Sequence, residues 1–142
     1  MSLRKEKVRQ PNVLWHGTSS SVIEDIKREG LKCACSPAAG ATSEYCDVYD
    51  ALGVVCLTDN VKNARFYSIV STVLARHLSV DEMVVVKVDE GKLDRDKLVK
   101  RKSVDKVNVL SGGEYDYLED ISPDALTFYK WNSKAKDFIK VV

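Results

Sequence analysis

His16 and Gly17 are the first residues whose types and order suggest binding chemistry. An imidazole can hydrogen-bond a sugar hydroxyl, and a glycine lets a ligand approach the main chain closely. The backbone N–H and C=O beside it can then hold a planar amide. The pair therefore suits a nucleotide-like ligand. The alternative is a structural histidine at the end of a strand, hydrogen-bonded to backbone groups.

Tyr67 is a second candidate, and its position permits two roles. It lies beside apolar residues of a predicted helix, which favours packing with the hydroxyl at the surface. Its flat ring is also suited to stack on an aromatic ring of a ligand. Spacing alone does not separate the two roles, so both stay open.

Glu114 is the third candidate, because it opens a predicted strand directly after Gly112 and Gly113. Carboxylates stabilise the oxocarbenium-like states in which a sugar carbon loses its base. A glutamate in a strand can also point to solvent. Glu119 offers a second carboxylate, but it lies nearer the next turn, so Glu114 is the better candidate.

The four cysteines give little indication of a metal site. Zinc sites usually pair their cysteines as C-x-x-C, whereas the one close pair here has C-x-C spacing. We therefore predict reduced thiols and no metal, with a disulfide or a metal site as the alternatives. The four residues are Cys33, Cys35, Cys46 and Cys56.

The elements around His16 can be predicted from hydropathy and capping. Residues 13–15 are apolar and flanked by polar residues, as in a short strand. Ser21 and Glu24 have the spacing of a capping box, and Gly30 is suited to end the helix that follows. His16 is thus predicted to lie at a strand-to-helix junction.

A second strand and helix should position Tyr67. Residues 53–57 form an apolar run, and Asp59 or Asn60 can cap a helix that continues to about Leu78. The apolar positions of this helix keep helical spacing and are predicted to face the core. They are Phe66, Val70, Val73 and Leu74.

The remaining pattern favours a mixed α+β fold. Residues 36–50 are rich in small and polar residues and are predicted to form a loop. Strands are predicted over 82–88, 114–118, 126–131 and 138–142. Early helices and mostly late strands, without regular alternation, favour an α+β architecture over a doubly wound parallel sheet.

Composition limits the class of protein. With 142 residues, 44% hydrophobic and 30% charged, the chain fits one domain over 1–142, with a poorly ordered segment expected over 1–11. The 22 basic and 21 acidic residues nearly cancel, so no overall field favours nucleic acid or a membrane. No apolar run reaches bilayer length and the first residues lack a signal-peptide core, so we expect a cytoplasmic protein.

Three segments resemble the ADP-ribosyltransferase superfamily, in its poly(ADP-ribose) polymerase-like, diphtheria-toxin-like branch. L-W-H-G-T at 14–18, a capped helix and E-G-L at 29–31 are similar to the family's first segment. Residues 53–67 resemble the second, a strand that ends in an aspartate and continues into a helix with an alanine and a tyrosine. Glu114 resembles the glutamate that opens the third. The segments follow the family's order from residue 13 to about 126.

The resemblance implies a split antiparallel β core, flanked by two or three helices, with an NAD cleft between two small sheets. In that cleft His16 would bind a ribose hydroxyl, and Gly17 would clamp the nicotinamide carboxamide through its backbone. Thr18 would support the neighbouring ribose, and Tyr67 would stack on the nicotinamide. Glu114 would hold the nicotinamide ribose and favour the transition state.

Three further residues have an implied place at the same site. Tyr45 and Tyr49, in the predicted loop, would lie over the donor. Cys56 stands three residues before the aspartate, where the family usually carries an aromatic residue. A thiol there removes one face of an aromatic sandwich around the ligand.

The implied activity is transfer of ADP-ribose, as a single unit, from NAD to an acceptor with release of nicotinamide. The acceptor stays open between protein, nucleic acid and a small molecule. With water as acceptor the reaction would be NAD hydrolysis, and a related branch of the fold uses NAD to remove an RNA 2′-phosphate. A non-catalytic NAD- or ADP-ribose-binding module is the alternative from another functional class.

Overall fold

The computed structural model describes residues 13–32, 54–100 and 113–141, which contain seven strands and two α-helices. In chain order they are β1 (Val13–Ser19), α1 (Ile23–Glu29), β2 (Val55–Thr58), α2 (Val61–Ile69), β3 (Met83–Asp89), β4 (Leu98–Lys100), β5 (Glu114–Tyr117), β6 (Leu126–Asn132) and β7 (Asp137–Lys140). The strands join one antiparallel sheet in the order β4-β5-β2-β1-β3-β6-β7. The predicted α+β class is confirmed. Neither described helix has the length and hydropathy needed to cross a membrane.

The later strands were well predicted by apolar runs and turn residues. The runs at 82–88, 114–118, 126–131 and 138–142 correspond to β3, β5, β6 and β7, with bounds that differ by at most two residues. Residues 1–11 and the predicted loop over 36–50 lie outside the described ranges.

β3 lies near the centre of the sheet and supplies much of the core. Val84, Val86 and Val88 are fully buried in one apolar cluster with Leu14 of β1 and Ile26 of α1. These valines share one face of the sheet because side chains alternate along a strand. Burial of each such side chain contributes about 1.5–3 kcal/mol. The core therefore fixes β1 and α1 against the sheet, on the face away from α2.

β1 continues four residues beyond its predicted end, to Ser19. His16 therefore lies inside a strand, and its predicted position at a strand-to-helix junction was wrong. Ser21 does not cap α1. Ser19 instead caps the 3-10 turn Ser20–Val22 that precedes α1, where its hydroxyl accepts a hydrogen bond from the Ser21 N–H at 3.2 Å. Gly30 ends α1 as predicted, with a φ of 81° that favours glycine.

α2 has the predicted start but not the predicted length or buried face. Asn60 caps it by accepting a hydrogen bond from the Lys62 N–H at 2.8 Å. The α-helix ends at Ile69 and continues as a π-helical turn, so the predicted extent to Leu78 was too long. Leu74, predicted to face the core, is 65% exposed, while Phe66, Val70 and Val73 are only partly buried. Small and polar residues are buried instead, namely Asn63, Ala64, Ser68, Ser71 and Thr72.

β1 pairs with its two neighbouring strands over very different lengths. It pairs with β3 at seven positions but with β2 only through Trp15 and Thr58. Beyond that pair, from His16 on β1 and Leu57 on β2 onward, the described residues of the two strands form no regular pairing. We call this boundary the β1–β2 seam. The finer expectation of two small sheets around an NAD cleft stays a prediction.

His77 follows the π-helical turn with a backbone φ of 56°, in the left-handed region. A residue that carries a Cβ destabilises the folded state by about 1 kcal/mol or more in that region. We expect His77→Gly to raise the free energy of unfolding by about 0.5–1 kcal/mol, because glycine relieves that cost but gains unfolded-state entropy. Urea unfolding followed by circular dichroism measures the change. His77→Ala removes the imidazole but keeps a Cβ, and an equal gain from it would contradict the explanation.

Candidate functional site

The carboxylate of Glu114 is held at both oxygens by side chains of α2. Its Oε1 accepts a hydrogen bond from the Tyr67 hydroxyl at 2.7 Å, and its Oε2 accepts one from Asn63 Nδ2 at 3.0 Å. Glu114 is partly buried at the start of β5. Two neutral donors therefore fix the plane of the carboxylate without neutralising its charge.

The spacing of the two donors explains why they meet one acceptor. Asn63 and Tyr67 are four residues apart in α2, so they project from the same side of the helix. α2 starts shortly after β2, whose Thr58 pairs with Glu114 in the sheet. The short connection from β2 to α2 thus brings the first turns of the helix over the start of β5.

Hydrogen bonds around Gly113 fix the backbone that leads into Glu114. The Gly113 N–H donates to Asp59 Oδ1 at 2.6 Å, and its carbonyl accepts from the Asp59 N–H and the Thr58 hydroxyl, both at 3.1 Å. Burial raises the pKa of the neighbouring Tyr115 hydroxyl, and the Asp59 carboxylate raises it further. The end of β2 and the start of β5 therefore form one hydrogen-bonded unit beside the carboxylate.

His16 reaches across the β1–β2 seam. Its Nδ1 lies 3.0 Å from the carbonyl oxygen of Cys56, which can only accept, so Nδ1 carries the proton of this bond. In the neutral ring Nε2 is then the acceptor. Because side chains alternate along β1, His16 leaves the strand on the face opposite to Gly17 and α2. The imidazole therefore approaches the seam from the other side of the sheet to Glu114.

Gly17 packs directly against α2. A Cβ on Gly17 would lie 2.1 Å from the Ala64 carbonyl oxygen and 2.7 Å from the Ser68 nitrogen, so only glycine fits. This close approach gives Gly17 a packing role. Its predicted contact with a nicotinamide amide stays a prediction.

Thr18 is fully buried beside the same helix. Its carbonyl accepts hydrogen bonds from the Ser68 hydroxyl at 2.5 Å and the Thr72 hydroxyl at 3.2 Å. Within the described ranges its own Oγ1 has no hydrogen-bond partner. The predicted support of a ribose by Thr18 stays a prediction.

Cys56 lies in β2, two residues before Thr58, so its side chain is on the face that carries Glu114. Its Sγ is 4.0 Å from Asp116 Oδ1 of β5. Tyr45, Tyr49 and the other three cysteines lie outside the described ranges. Across the part of the chain that is described, no group of three or more His, Cys, Asp or Glu side chains is arranged to hold a metal ion.

Comparison with known proteins gives a negative result. Neither a protein-family model nor a curated protein matches the sequence. The interpretation of the site therefore rests on its residues and geometry. Two predicted residues, Tyr67 and Glu114, are in direct contact, and His16 contacts the backbone of Cys56.

Asn63 is a candidate that the sequence analysis missed. The residue is 3% exposed, and its amide donates to Glu114 and, at 3.3 Å, to the Thr58 hydroxyl. The available signal was its position four residues before Tyr67, which places both on one side of the helix. A buried amide needs hydrogen-bond partners, so a polar residue on that side indicates a polar partner on the sheet.

Proposed function

We propose that the chain is an NAD-dependent ADP-ribosyltransferase, which moves a single ADP-ribose unit from NAD to an acceptor and releases nicotinamide. The observation that carries the proposal is the orientation of the Glu114 carboxylate by Tyr67 and Asn63. The resemblance of residues 14–18 and 53–67 to the family's segments supports it further. A cytoplasmic location remains an expectation.

The reaction requires stabilisation of positive charge at a sugar carbon. As the bond from C1′ to the nicotinamide nitrogen breaks, its electron pair leaves with nicotinamide and the ribose becomes oxocarbenium-like. A preorganised carboxylate stabilises that state without first having to reorient. The acceptor then supplies the electron pair of the new bond to C1′ and releases its proton to solvent. We assign Glu114 as the catalytic carboxylate.

Candidate residues from both faces of the sheet lie next to the β1–β2 seam. Glu114, Thr58 and Trp15 form one row across β5, β2 and β1, and the regular pairing of the last two strands is limited to that row. His16 borders the same seam from the opposite face. The implied role of His16 in binding a ribose hydroxyl stays a part of the proposal that rests on the resemblance.

A second candidate function is NAD or ADP-ribose binding without catalysis. The observation that favours it is Cys56, which stands where the family usually has an aromatic ring. A thiol offers no face for stacking, and the loss of such a contact weakens binding by about 0.5–1.5 kcal/mol. This candidate retains the same binding residues and differs in the absence of turnover.

The test is to incubate the full chain with NAD, quantify nicotinamide and ADP-ribose by chromatography, and measure NAD binding by calorimetry. Release of nicotinamide, with ADP-ribose attached to an added acceptor, is the result expected. Release of unattached ADP-ribose would indicate water as the acceptor. Binding of NAD without release of nicotinamide, for every acceptor offered, would support the non-catalytic binding module instead of the enzyme. Absence of both would overturn the proposal.

Tyr67→Phe separates the two functions of the tyrosine. It removes the hydroxyl that donates to Glu114 but keeps the ring, so we expect turnover to fall by about tenfold with little change in NAD affinity. Tyr67→Ala should also weaken NAD binding several-fold, because the stacking surface is lost. Steady-state kinetics and calorimetry check both. Tyr117→Phe, which removes a hydroxyl that donates to Glu119, is the matched control. Equal losses of affinity in the two Tyr67 variants would contradict a stacking role.

A further inference from the structure

A second concave site lies beside α2, on the side of the helix away from Glu114. It has a volume of about 340 Å³ and opens between the helix and strands β1, β3, β6 and β7. Arg65, one of its lining residues, is two positions from both Asn63 and Tyr67, which places it on nearly the opposite side of α2. The site is therefore separate from the Glu114 carboxylate, and we call it the aromatic cavity.

Aromatic side chains form the wall of this cavity. Trp15 and Tyr129 have ring centroids 5.8 Å apart with planes inclined at 57°, and Trp131 meets Phe138 edge to face at 5.2 Å. All four are only partly buried. Tyr129 and Trp131 share one face of β6 because they are two residues apart. The wall thus presents partly exposed rings on which a planar group can stack.

Positive charge surrounds the rings. The Arg65 guanidinium carbon lies 4.4 Å from the centroid of the Trp131 ring, and Lys62 and Lys136 also line the cavity. Among the described residues that line it, Asp137 is the one acid. Three cations and one anion gather here in a chain whose net charge is only +1. The cavity is therefore suited to a ligand that is both aromatic and anionic.

A nucleotide unit has this combination of properties. Aromatic rings and arginine planes stack on bases, and lysines bind phosphates. The volume lies at the lower end of the range of small-ligand pockets, which fits one nucleotide rather than a folded partner. Lys87 and Lys140 extend the positive charge beyond the cavity, because they pair with Trp15 and Tyr129 in the sheet and share their face. Phosphates that flank a bound nucleotide would meet these two lysines.

We infer that the aromatic cavity binds one nucleotide of single-stranded nucleic acid. The base stacks against the wall formed by Trp131 and its neighbours, its phosphate contacts Lys62 and Lys136, and flanking phosphates contact Lys87 and Lys140. A free mononucleotide would use only the cavity. This inference does not depend on the proposed NAD chemistry, because Asn63 and Tyr67, which hydrogen-bond to Glu114, are not among the residues that line the cavity.

The test is fluorescence anisotropy of the full chain with labelled hexa-adenylate RNA at 50 and 200 mM salt, using adenosine monophosphate and a duplex as competitors. We expect binding that weakens as salt rises. Trp131→Ala should lower the affinity about tenfold through lost stacking, and Trp131→Phe should restore most of it. Lys136→Gln should lower the affinity a few-fold and reduce the salt dependence, whereas Lys134→Gln, an exposed lysine of the same turn outside the lining, should not.

Several outcomes would overturn the inference. Binding that is insensitive to Trp131→Ala, in a variant shown by circular dichroism to be folded, would place the strand elsewhere. Competition by the monophosphate as strong as by the unlabelled hexamer would make the cavity a mononucleotide site. Equal competition by duplex would indicate general phosphate attraction. Glu114→Gln should leave hexamer affinity unchanged, so failure of the NAD proposal and failure of this one can be told apart.

Discussion

Glu114→Gln is expected to lower the rate of nicotinamide release from NAD by about 10²–10³-fold, with NAD affinity changed by no more than a few-fold. The substitution keeps the size and shape of the side chain and removes its negative charge. That charge is what opposes the positive charge developing at C1′ when nicotinamide leaves. Its loss therefore affects the transition state much more than the bound ground state.

The local geometry predicts a small cost in stability for the same variant. The carboxylate accepts from the Tyr67 hydroxyl at one oxygen and from Asn63 Nδ2 at the other. A glutamine amide has only one oxygen, so one of the two donors would face an NH₂ group and lose its acceptor. We expect a loss of about 1 kcal/mol in the free energy of unfolding. Chemical denaturation in parallel with kinetics separates this cost from the effect on turnover.

Glu119→Gln is the matched control for this experiment. Glu119 also accepts a hydrogen bond from a tyrosine, since its Oε2 lies 3.1 Å from the Tyr117 hydroxyl, and it forms an ion pair with Lys97. Glu119 was the second candidate for the functional carboxylate when the sequence alone was considered. Nicotinamide release should stay close to the wild-type rate in Glu119→Gln. A large loss in this variant and a small one in Glu114→Gln would exchange the two assignments.

The pattern of apolar residues predicted the strands whose buried side chains are apolar, and it failed where the buried side chains are polar. β3, β5 and β6 were found from their own residues. The end of β1 was missed because Thr18 and Ser19 are polar, although both are fully buried. The Thr18 carbonyl accepts from the Ser68 hydroxyl of α2 and from the Thr72 hydroxyl of the π-helical turn, long-range contacts that no local pattern contains.

The buried face of α2 was mispredicted for a related reason. An apolar stripe is expected where a helix packs on a sheet through large side chains. Here the main chains approach closely, so Ala64 and Ser68 lie where larger residues would not fit, and the Ser68 hydroxyl accepts from the Val84 N–H at 3.0 Å. Hydrogen bonds between helix side chains and sheet backbone take the place of apolar packing.

The candidate site was predicted in part. Tyr67 and Glu114 were selected for their chemistry, and they are in contact 47 positions apart along the chain. The aromatic cavity was not predicted, because Trp15, Arg65 and Trp131 come together only through the pairing of β1 with β3 and of β3 with β6. Sequence spacing indicates what lies on one element, whereas a cavity between elements depends on the strand order.

Gly17→Ala is expected to lower the free energy of unfolding by about 3 kcal/mol or more. The added Cβ would lie 2.1 Å from the Ala64 carbonyl oxygen, far inside the contact distance of about 3.5 Å. Both this oxygen and the Ser68 nitrogen belong to the helix backbone, so no side-chain rotation relieves the overlap. α2 would have to move away from β1 as a unit. Thermal and urea unfolding in the absence of any ligand measure the loss.

Gly91→Ala is the control, because its Cβ would meet only the Asp89 Oδ1 atom, at 3.3 Å, on an exposed side chain that can move. It should change stability by less than about 0.5 kcal/mol. The comparison also distinguishes two explanations of the glycine in L-W-H-G-T. A residue needed only to let NAD approach the backbone would, when changed to alanine, lose NAD affinity at unchanged stability. Because α2 also carries Asn63 and Tyr67, the packing explanation instead predicts that stability and the hold on Glu114 are lost together.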